Sequence, residues 1–410
     1  MMNLSDPPRR FHWINRTVLG IVLATFFSDV SHEMATAVLP FYLSGIGLGA
    51  FALGLIEGTA DFLVSISKLL GGYVGHHVQH KKPWASLGYL VTTLGTFGIG
   101  LVGSLAAVLT LRSAAWVGRG FRSPLRDFLL ADAVEATHYG RAYGLERAGD
   151  MLGAVMGPLL AALLLWAGWE FRSIILWTAL PGLAAASLFF FLTRERPIKP
   201  AADSGSASTL ASLARFPRGF WLFLIGVILF GLGDFSRTFL VFLAARAMGG
   251  TETTAAGTLS VAVLLYMMHN AISAVSAYPF GWLGDRRRKM PILVGGYGLG
   301  VFTNLLLAVH GQALTILVAA IVLSGIYISV EETLEKAVAA DLLPRELRSL
   351  GFGILACANA IGDMASSFYV GYLLQAGYPV AAFGTAAAFG GVGVVWMVML
   401  LLRPRRNATT

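Results

Sequence analysis

The chain has 410 residues, 56% of them hydrophobic and 13% charged, with a mean hydropathy of +0.71. A water-soluble domain carries about 25% charged residues, so composition excludes one. The formal charge of +8 does not mark a nucleic-acid partner, because the basic residues fall in alternate loops between apolar runs. The single cysteine, Cys357, excludes an intramolecular disulfide framework.

Residues 1–16 form a short polar, basic flank. Arg9 and Arg10 look like a twin-arginine export signal, but the apolar run that follows is too long for a signal-peptide core and has no small-residue cleavage site. A helix needs about 20 apolar residues to cross a bilayer. Runs of that length predict spans over 17–43, 51–74, 84–103, 105–121, 139–166 and 171–192, then 220–244, 255–282, 292–309, 313–334, 349–374 and 380–402. The fourth is the weakest, being interrupted by Arg112 and Arg119. The expectation is an all-α membrane protein of twelve transmembrane helices.

Alternate loops carry the cations, among them Lys81-Lys82, Arg122, Arg126, Arg141, Arg194, Arg196, Arg286-Arg287-Arg288-Lys289, Arg345 and Arg348. Positively charged loops stay in the cytoplasm, so both termini are expected there, in a multi-pass protein of a bacterial inner membrane. Residues 194–217 are the one long polar stretch and read as a cytoplasmic linker between a bundle over 1–193 and a second over 218–410. The halves repeat at one offset. Ala131-Asp132 recurs 209 positions later as Ala340-Asp341, Tyr143-Gly144 as Phe352-Gly353, and Gly72 and Gly75 as Gly281 and Gly284. Asp29-Val-Ser-His32 is echoed by Asp234-Phe-Ser-Arg237. Two pseudo-symmetric six-helix bundles in one membrane are a transporter architecture, with substrate held near the midplane between them.

Charges inside the spans are costly and mark function by default. Asp29, His32 and Glu33 share one face of the first span, and Asp29 lies about 20 Å along it from Arg16, near mid-membrane. Glu57, Asp61 and Lys68 share a face of the second. A proton-coupling carboxylate must be neutral in one state and ionised in another, a role that suits Asp29, Glu33 and Asp61, with Arg112 as the cation that approaches in one conformation. Asp234 with Arg237, the patch Tyr266, His269 and Asn270, and His32 and Glu57 are candidate substrate contacts. Glu331 and Glu335 fall 209 positions after Arg122 and Arg126, and opposite signs at equivalent places predict a cytoplasmic gate of ion pairs between halves. Gly153 and Gly157 predict close helix approach, with Pro158 as a hinge beside them. Gly296-Tyr-Gly298-Leu-Gly300 opens an apolar span with no preceding strand and reads as helix packing, and no Walker sequence is present.

Several motifs resemble the major facilitator superfamily. Gly281-Trp-Leu-Gly-Asp285-Arg286-Arg-Arg-Lys289 is similar to its loop motif G-x-x-x-D-R-x-x-[RK], and Gly153-Ala-Val-Met-Gly157-Pro158 to the G-x-x-x-G-P motif of its proton-coupled antiporters. Arg112 sits where the family's fourth-span arginine is expected, and Gly118–Asp127 with Ala131-Asp132 is similar to a bacterial drug-efflux-like subgroup. The first-half loop departs from the pattern, with His76 and His77 in place of the Asp-Arg pair. The resemblance implies a six-plus-six helical fold, alternating access, and a gating role for Asp285, Arg286, Gly153, Gly157 and Pro158. The resulting expectation is a monomeric proton-coupled exporter of a small organic molecule, with the bilayer and protons as partners and neither cofactor nor resident metal. Two other readings are a metal or metal-chelate exporter using Asp29, His32, Glu33 and His269 as ligands, and a membrane-embedded sensor or enzyme. No nucleophile–base constellation in the loops supports the last.

Overall fold

The polypeptide is seen in a computed structural model that describes residues 13–48, 50–196, 209–236, 239–240, 243, 255–310 and 313–402. Asn15 opens α1 (Arg16–Gly45), its side-chain oxygen accepting the Thr17 and Val18 N–H groups at 2.9 and 3.0 Å, which satisfies two of the donors a helix start leaves open. There follow α2 (Ala50–His77), α3 (Lys82–Ile99), α4 (Leu105–Asp132), α5 (Tyr139–Trp166) and α6 (Phe171–Leu192), the last interrupted at Thr178. A short helix, Thr209–Ala214, leads into α7 (Arg218–Gly231), then α8 (Ala255–Arg286), α9 (Lys289–His310), α10 (Leu314–Leu342), α11 (Arg348–Gln375) and α12 (Pro379–Leu402). Each predicted span except the seventh is matched by one of these helices.

Among the described residues six helices are long and apolar enough to cross a membrane: α1, α5, α6, α9, α10 and α12. The strongly charged α4 is not among them, because Arg112, Arg119, Arg122, Arg126 and Asp127 lie within it. It also runs three turns past the predicted end at residue 121.

The seventh span differs most from expectation. In place of one helix over 220–244, α7 stops at Gly231, and residues 232–236 are non-helical. The freed backbone groups meet side chains. Tyr369 donates to the Leu232 carbonyl at 2.8 Å, Asn304 to Gly233 at 2.9 Å and Ser366 to Asp234 at 2.9 Å, while the Ser236 N–H donates to Ser367 at 2.9 Å. Unwound backbone at membrane depth is tolerated only when satisfied in this way. The pseudo-equivalent α1 stays helical through Asp29.

The buried apolar side chains show how the halves meet. One cluster draws on both, joining Tyr89, Leu125 and Tyr143 of the first to Phe223, Leu334 and Phe352 of the second. It lies toward the end that bears the basic loops. Toward the opposite end the core divides in two. Met34, Tyr42, Ile99 and Ile174 form a first-half cluster, and Phe235, Leu265, Leu317 and Phe383 a second-half one. The halves are therefore joined at the basic end and hold separate cores at the other.

Candidate functional site

Between the halves lies a cavity of about 300 Å³, walled by α2, α4 and α5 on one side and by α10, α11 and the unwound stretch after α7 on the other. Seven carboxylates and six Lys or Arg side chains line it, so its charge is close to balanced. On α4, Arg119, Arg122 and Arg126 share one face at helical spacing. Arg119 pairs with Asp29 of α1 and lies 3.8 Å from Asp150 of α5. Arg126 is 2.9 Å from both Asp127 and Glu146. The middle arginine, Arg122, meets neutral groups instead. It donates to the Ser28 and Thr92 hydroxyls at 2.7 and 3.2 Å and lies 3.8 Å over the Tyr89 ring.

Two links cross the cavity. Arg147 of α5 is 2.7 Å from Asp150 and 2.6 Å from Glu332 of α10. Asp29, Arg119, Asp150, Arg147 and Glu332 thus form one chain of alternating charge from α1 to the opposite half. Lys336 of α10 reaches back to Asp127 at 3.6 Å and Glu146 at 3.8 Å. Asp127 and Lys336 are 209 positions apart, so they are repeat equivalents of opposite sign that meet near the pseudo-two-fold axis. Glu335 is held by neutral donors: the Tyr297 hydroxyl, and the Asn359 amide at 2.6 Å. Asp234, in the unwound stretch, accepts from the Tyr327 hydroxyl at 2.8 Å.

From the level of Lys68, Arg147 and Glu332 to the basic end, the halves are sealed by two helix crossings, α5 on α8 and α2 on α11. The backbones nearly touch. A Cβ on Gly281 would come 2.1 Å from the Gly140 carbonyl oxygen, one on Gly144 2.6 Å from that of Ala277, and one on Gly353 2.9 Å from that of Lys68. Gly140 and Ser349, Gly72 and Gly281, and Lys68 and Ala277 are repeat equivalents, so the two crossings are copies of one joint. Asp285 caps the start of α5, accepting the Gly140 and Arg141 N–H groups at 2.7 and 2.8 Å and the Arg141 Nε at 3.0 Å. Its repeat equivalent is His76, whose ring nitrogens lie 3.0 Å from the Glu346 carbonyl and 3.1 Å from the Ser212 hydroxyl. Burial holds the His76 imidazole below the ordinary histidine value. Arg345 clasps Asp132 across the same end, and that bond raises the Arg345 pKa.

Residues 21–269 and 256–410 match the Major Facilitator Superfamily. The chain belongs to the major facilitator superfamily. This transporter is similar to an MFS-type transporter of Methanocaldococcus jannaschii, at 26% identity over 88% of this chain and 89% of that protein. It is also similar to the multidrug resistance protein Stp of Mycobacterium tuberculosis, at 29% identity over 44% of this chain and 33% of Stp. Its fold matches the crystal structure of the Escherichia coli fucose:proton symporter with a TM-score of 0.71 at 13% identity, over 93% of this chain and 98% of that one. It is a secondary transporter, not an enzyme.

The transporter brings together some of the predicted residues and separates others. Asp29 is buried as expected, but the cation on it is Arg119. Arg112 sits two turns away, donating to Thr36 at 3.0 Å and lying 5.5 Å from the Trp116 ring. His32 stacks edge-on against Trp116 at 4.6 Å. Glu33 is half-buried on α1 facing Gly157. The side chains of Glu57 and Asp61, and all of Arg237, lie outside the described residues. Asp234 lines the cavity, whereas Tyr266, His269 and Asn270 are not in its lining. His269 and Asn270 are buried, 3.3 Å apart, where α8 meets α10 at Gly325.

The expected pairs between Arg122 or Arg126 and Glu331 or Glu335 are replaced. Arg126 and Glu335 find partners within their own halves, and the links between halves form one position along α10, at Glu332 and Lys336. A step of one residue turns a helix by about 100°, which is enough to exchange an inward for a cross-facing side chain. Glu331 lines the cavity with them. Gly153 and Gly157 do allow close approach, but of α5 to α1 within one half: a Cβ on Gly153 would lie 2.5 Å from the Phe26 carbonyl oxygen. Pro158 is buried in the same helix. Arg286 turns to the Trp282 ring, 4.1 Å away. Among the described residues no group of three or more His, Cys, Asp or Glu side chains converges as a metal site, so the proposed ligand set of Asp29, His32, Glu33 and His269 is not assembled. Sequence reasoning passed over Lys336, although its 209 offset from Asp127 was readable.

Proposed function

We propose that this transporter is a proton-coupled exporter of a small organic molecule, working by alternating access around the central cavity, with bundles over 1–193 and 218–410 joined by a linker over 194–217. The observation that carries the reading is the charge chain Asp29–Arg119–Asp150–Arg147–Glu332. It ties a buried first-half carboxylate to a bridge between halves. A proton on Asp29 removes the anion that holds Arg119, and Arg119 then turns to Asp150. Asp150 in turn loosens its hold on Arg147, and the bridge to Glu332 shifts with it. Protonation is thereby converted into a change in the contact that binds the halves. Glu33 and Asp61, on faces of α1 and α2, are further proton acceptors in this scheme, and Arg112 is a second cation on the α4 side.

The antiporter-like glycine–proline motif, Gly153 to Pro158, and the partial likeness to a multidrug resistance protein support export. If the basic loops are cytoplasmic, the sealed end is the inner one and the conformation is outward-facing. Asp285, the glycine crossings, and the Asp132–Arg345 and Arg147–Glu332 pairs then form the inner gate. The test is transport by purified protein in liposomes carrying an internal pH dye, screened against drugs and metabolites first selected by growth protection of a transporter-deficient strain. A protected compound should move protons against itself, and Asp29→Asn should abolish the proton movement. Transport of that compound at equal rates with and without a pH gradient refutes coupling.

A further inference from the structure

Two buried ionic side chains in the cavity wall, one from each half, touch neutral partners among the described residues. Of the three stacked α4 arginines the outer two are paired with carboxylates, while Arg122, 2% exposed, touches only hydroxyls and a ring among the described residues, with Asp29, Arg119 and Arg126 acting on it from beyond contact. Across the cavity Glu335, 1% exposed, has both carboxylate oxygens bound by neutral donors, Tyr297 and Asn359, and no cation among the described residues. Burying an ion with neutral partners alone costs several kcal/mol, and a binding site is where such a cost is recovered. Lys68 adds a second first-half cation in the lining, near Glu332 and Asp363. Other wall ions are paired with opposite charges: Arg119 with Asp29 and Asp150, Arg126 with Asp127 and Glu146, Arg147 with Glu332.

We infer that the cavity takes a zwitterionic small molecule, its anionic group on Arg122 and its ammonium group on Glu335. The inference rests on the cavity being the transport site proposed above. The lining excludes the simpler charges. A lone cation entering to reach Glu335 also meets Arg122 and Lys68, and a lone anion reaching Arg122 meets the carboxylates of α10. A net-neutral ligand with separated charges satisfies both walls and leaves the near-balance of seven carboxylates and six cations undisturbed. Because Arg122 belongs to the first half and Glu335 to the second, such a ligand spans the joint that alternating access must move. A cavity of about 300 Å³ admits a molecule of amino-acid to small-peptide size.

The experiment uses the full chain in lipid nanodiscs and calorimetric titration with the ω-amino acids from 4-aminobutyrate to 6-aminohexanoate, each against its alkylamine and its alkylcarboxylate. At least one ω-amino acid should bind ten times more tightly than both singly charged counterparts. Glu335→Gln should make that amino acid and its carboxylate equal, and Arg122→Gln should make it and its amine equal. The wild-type comparison needs no variant, so a misfolded substitution does not spoil it. An alkylamine or an alkylcarboxylate that binds wild type as well as the amino acid overturns the inference, as does a panel that does not bind at all. Either result leaves the alternating-access reading intact, since that reading is tested separately by movement of the two ends.

Discussion

Replacing Gly281 by alanine should open the basic end without unfolding the protein. The added Cβ would sit 2.1 Å from the Gly140 carbonyl oxygen, where ordinary contact begins at 3.4 Å, so α8 and α5 must separate by about 1.3 Å. That movement pulls Asp285 away from N–H groups it now holds at 2.7 and 2.8 Å. Overpacking of this kind costs about 1–3 kcal/mol, which shifts a two-state equilibrium by roughly 5- to 150-fold. Gly72→Ala, at the equivalent crossing, meets the Ser349 carbonyl oxygen at 2.8 Å and needs only about 0.6 Å of retreat, so its effect should be smaller. Gly153→Ala is the control. Its Cβ would lie 2.5 Å from the Phe26 carbonyl oxygen, but within one half, so the cost falls on folding rather than on the choice between states. Disulfide trapping in a Cys357→Ser background, with cysteines at Thr137 and Arg287, reads closure of the basic end, and thermal unfolding reads stability. Gly281→Ala should lose trapping while keeping its Tm, and Gly153→Ala should lower Tm by several degrees with trapping retained. Equal loss of Tm in both variants, or unchanged trapping in Gly281→Ala, would mean that the Gly281–Gly140 crossing does not hold the basic end closed.

Asp29→Asn leaves Arg119 with Asp150 at 3.8 Å as its remaining named carboxylate; removing one partner of a buried pair costs about 3–5 kcal/mol, so Tm should fall while residual substrate movement becomes indifferent to a pH gradient in liposomes. Glu332→Gln breaks the bridge from Arg147 without emptying the space, and should raise the rate at which a thiol probe reaches a cysteine placed at Ser349. Closure of the basic end should weaken as pH falls below about 6.5, the ordinary histidine value. In the sealed end burial disfavours the protonated form of His76, opposed by the Glu346 carbonyl and reinforced by the positive charge of His77, Lys81 and Arg215. Closure is therefore fully supported above that pH and lost as the open form takes up the proton. The same trapping assay run from pH 8 to 5 should show the decline, and His76→Gln should flatten it.

The span count and the two-fold repeat were legible because both are written in long-range pattern: apolar runs, alternating loop charge and one recurring offset. The same offset locates the paired crossings at Gly72 and Gly281. What escaped was the register between helices. Arg112 and Arg119 lie seven residues apart on one face of α4, about 10 Å in depth, and only the packing of α1 beside α4 decides which of them meets Asp29. The exchange of Glu331 and Glu335 for Glu332 and Lys336 at the joint between halves is a rotation of the same kind. The break after α7 had a local signal in Gly231-Leu232-Gly233-Asp234, but hydropathy reads through it, since the residues that satisfy the unwound backbone come from α9 and α11.

Alternating access is tested most directly by paired distance measurements at both ends of one molecule. Spin labels at Thr137 and Arg287 report the basic end, and labels at Leu101 and Tyr378 the opposite end, measured by double electron–electron resonance in nanodiscs at pH 8 and pH 5. Two populations should appear, one short at the basic end and long at the other and one the reverse, with acid favouring the one that is long at the basic end. A single fixed distance at each end across that pH range contradicts alternating access.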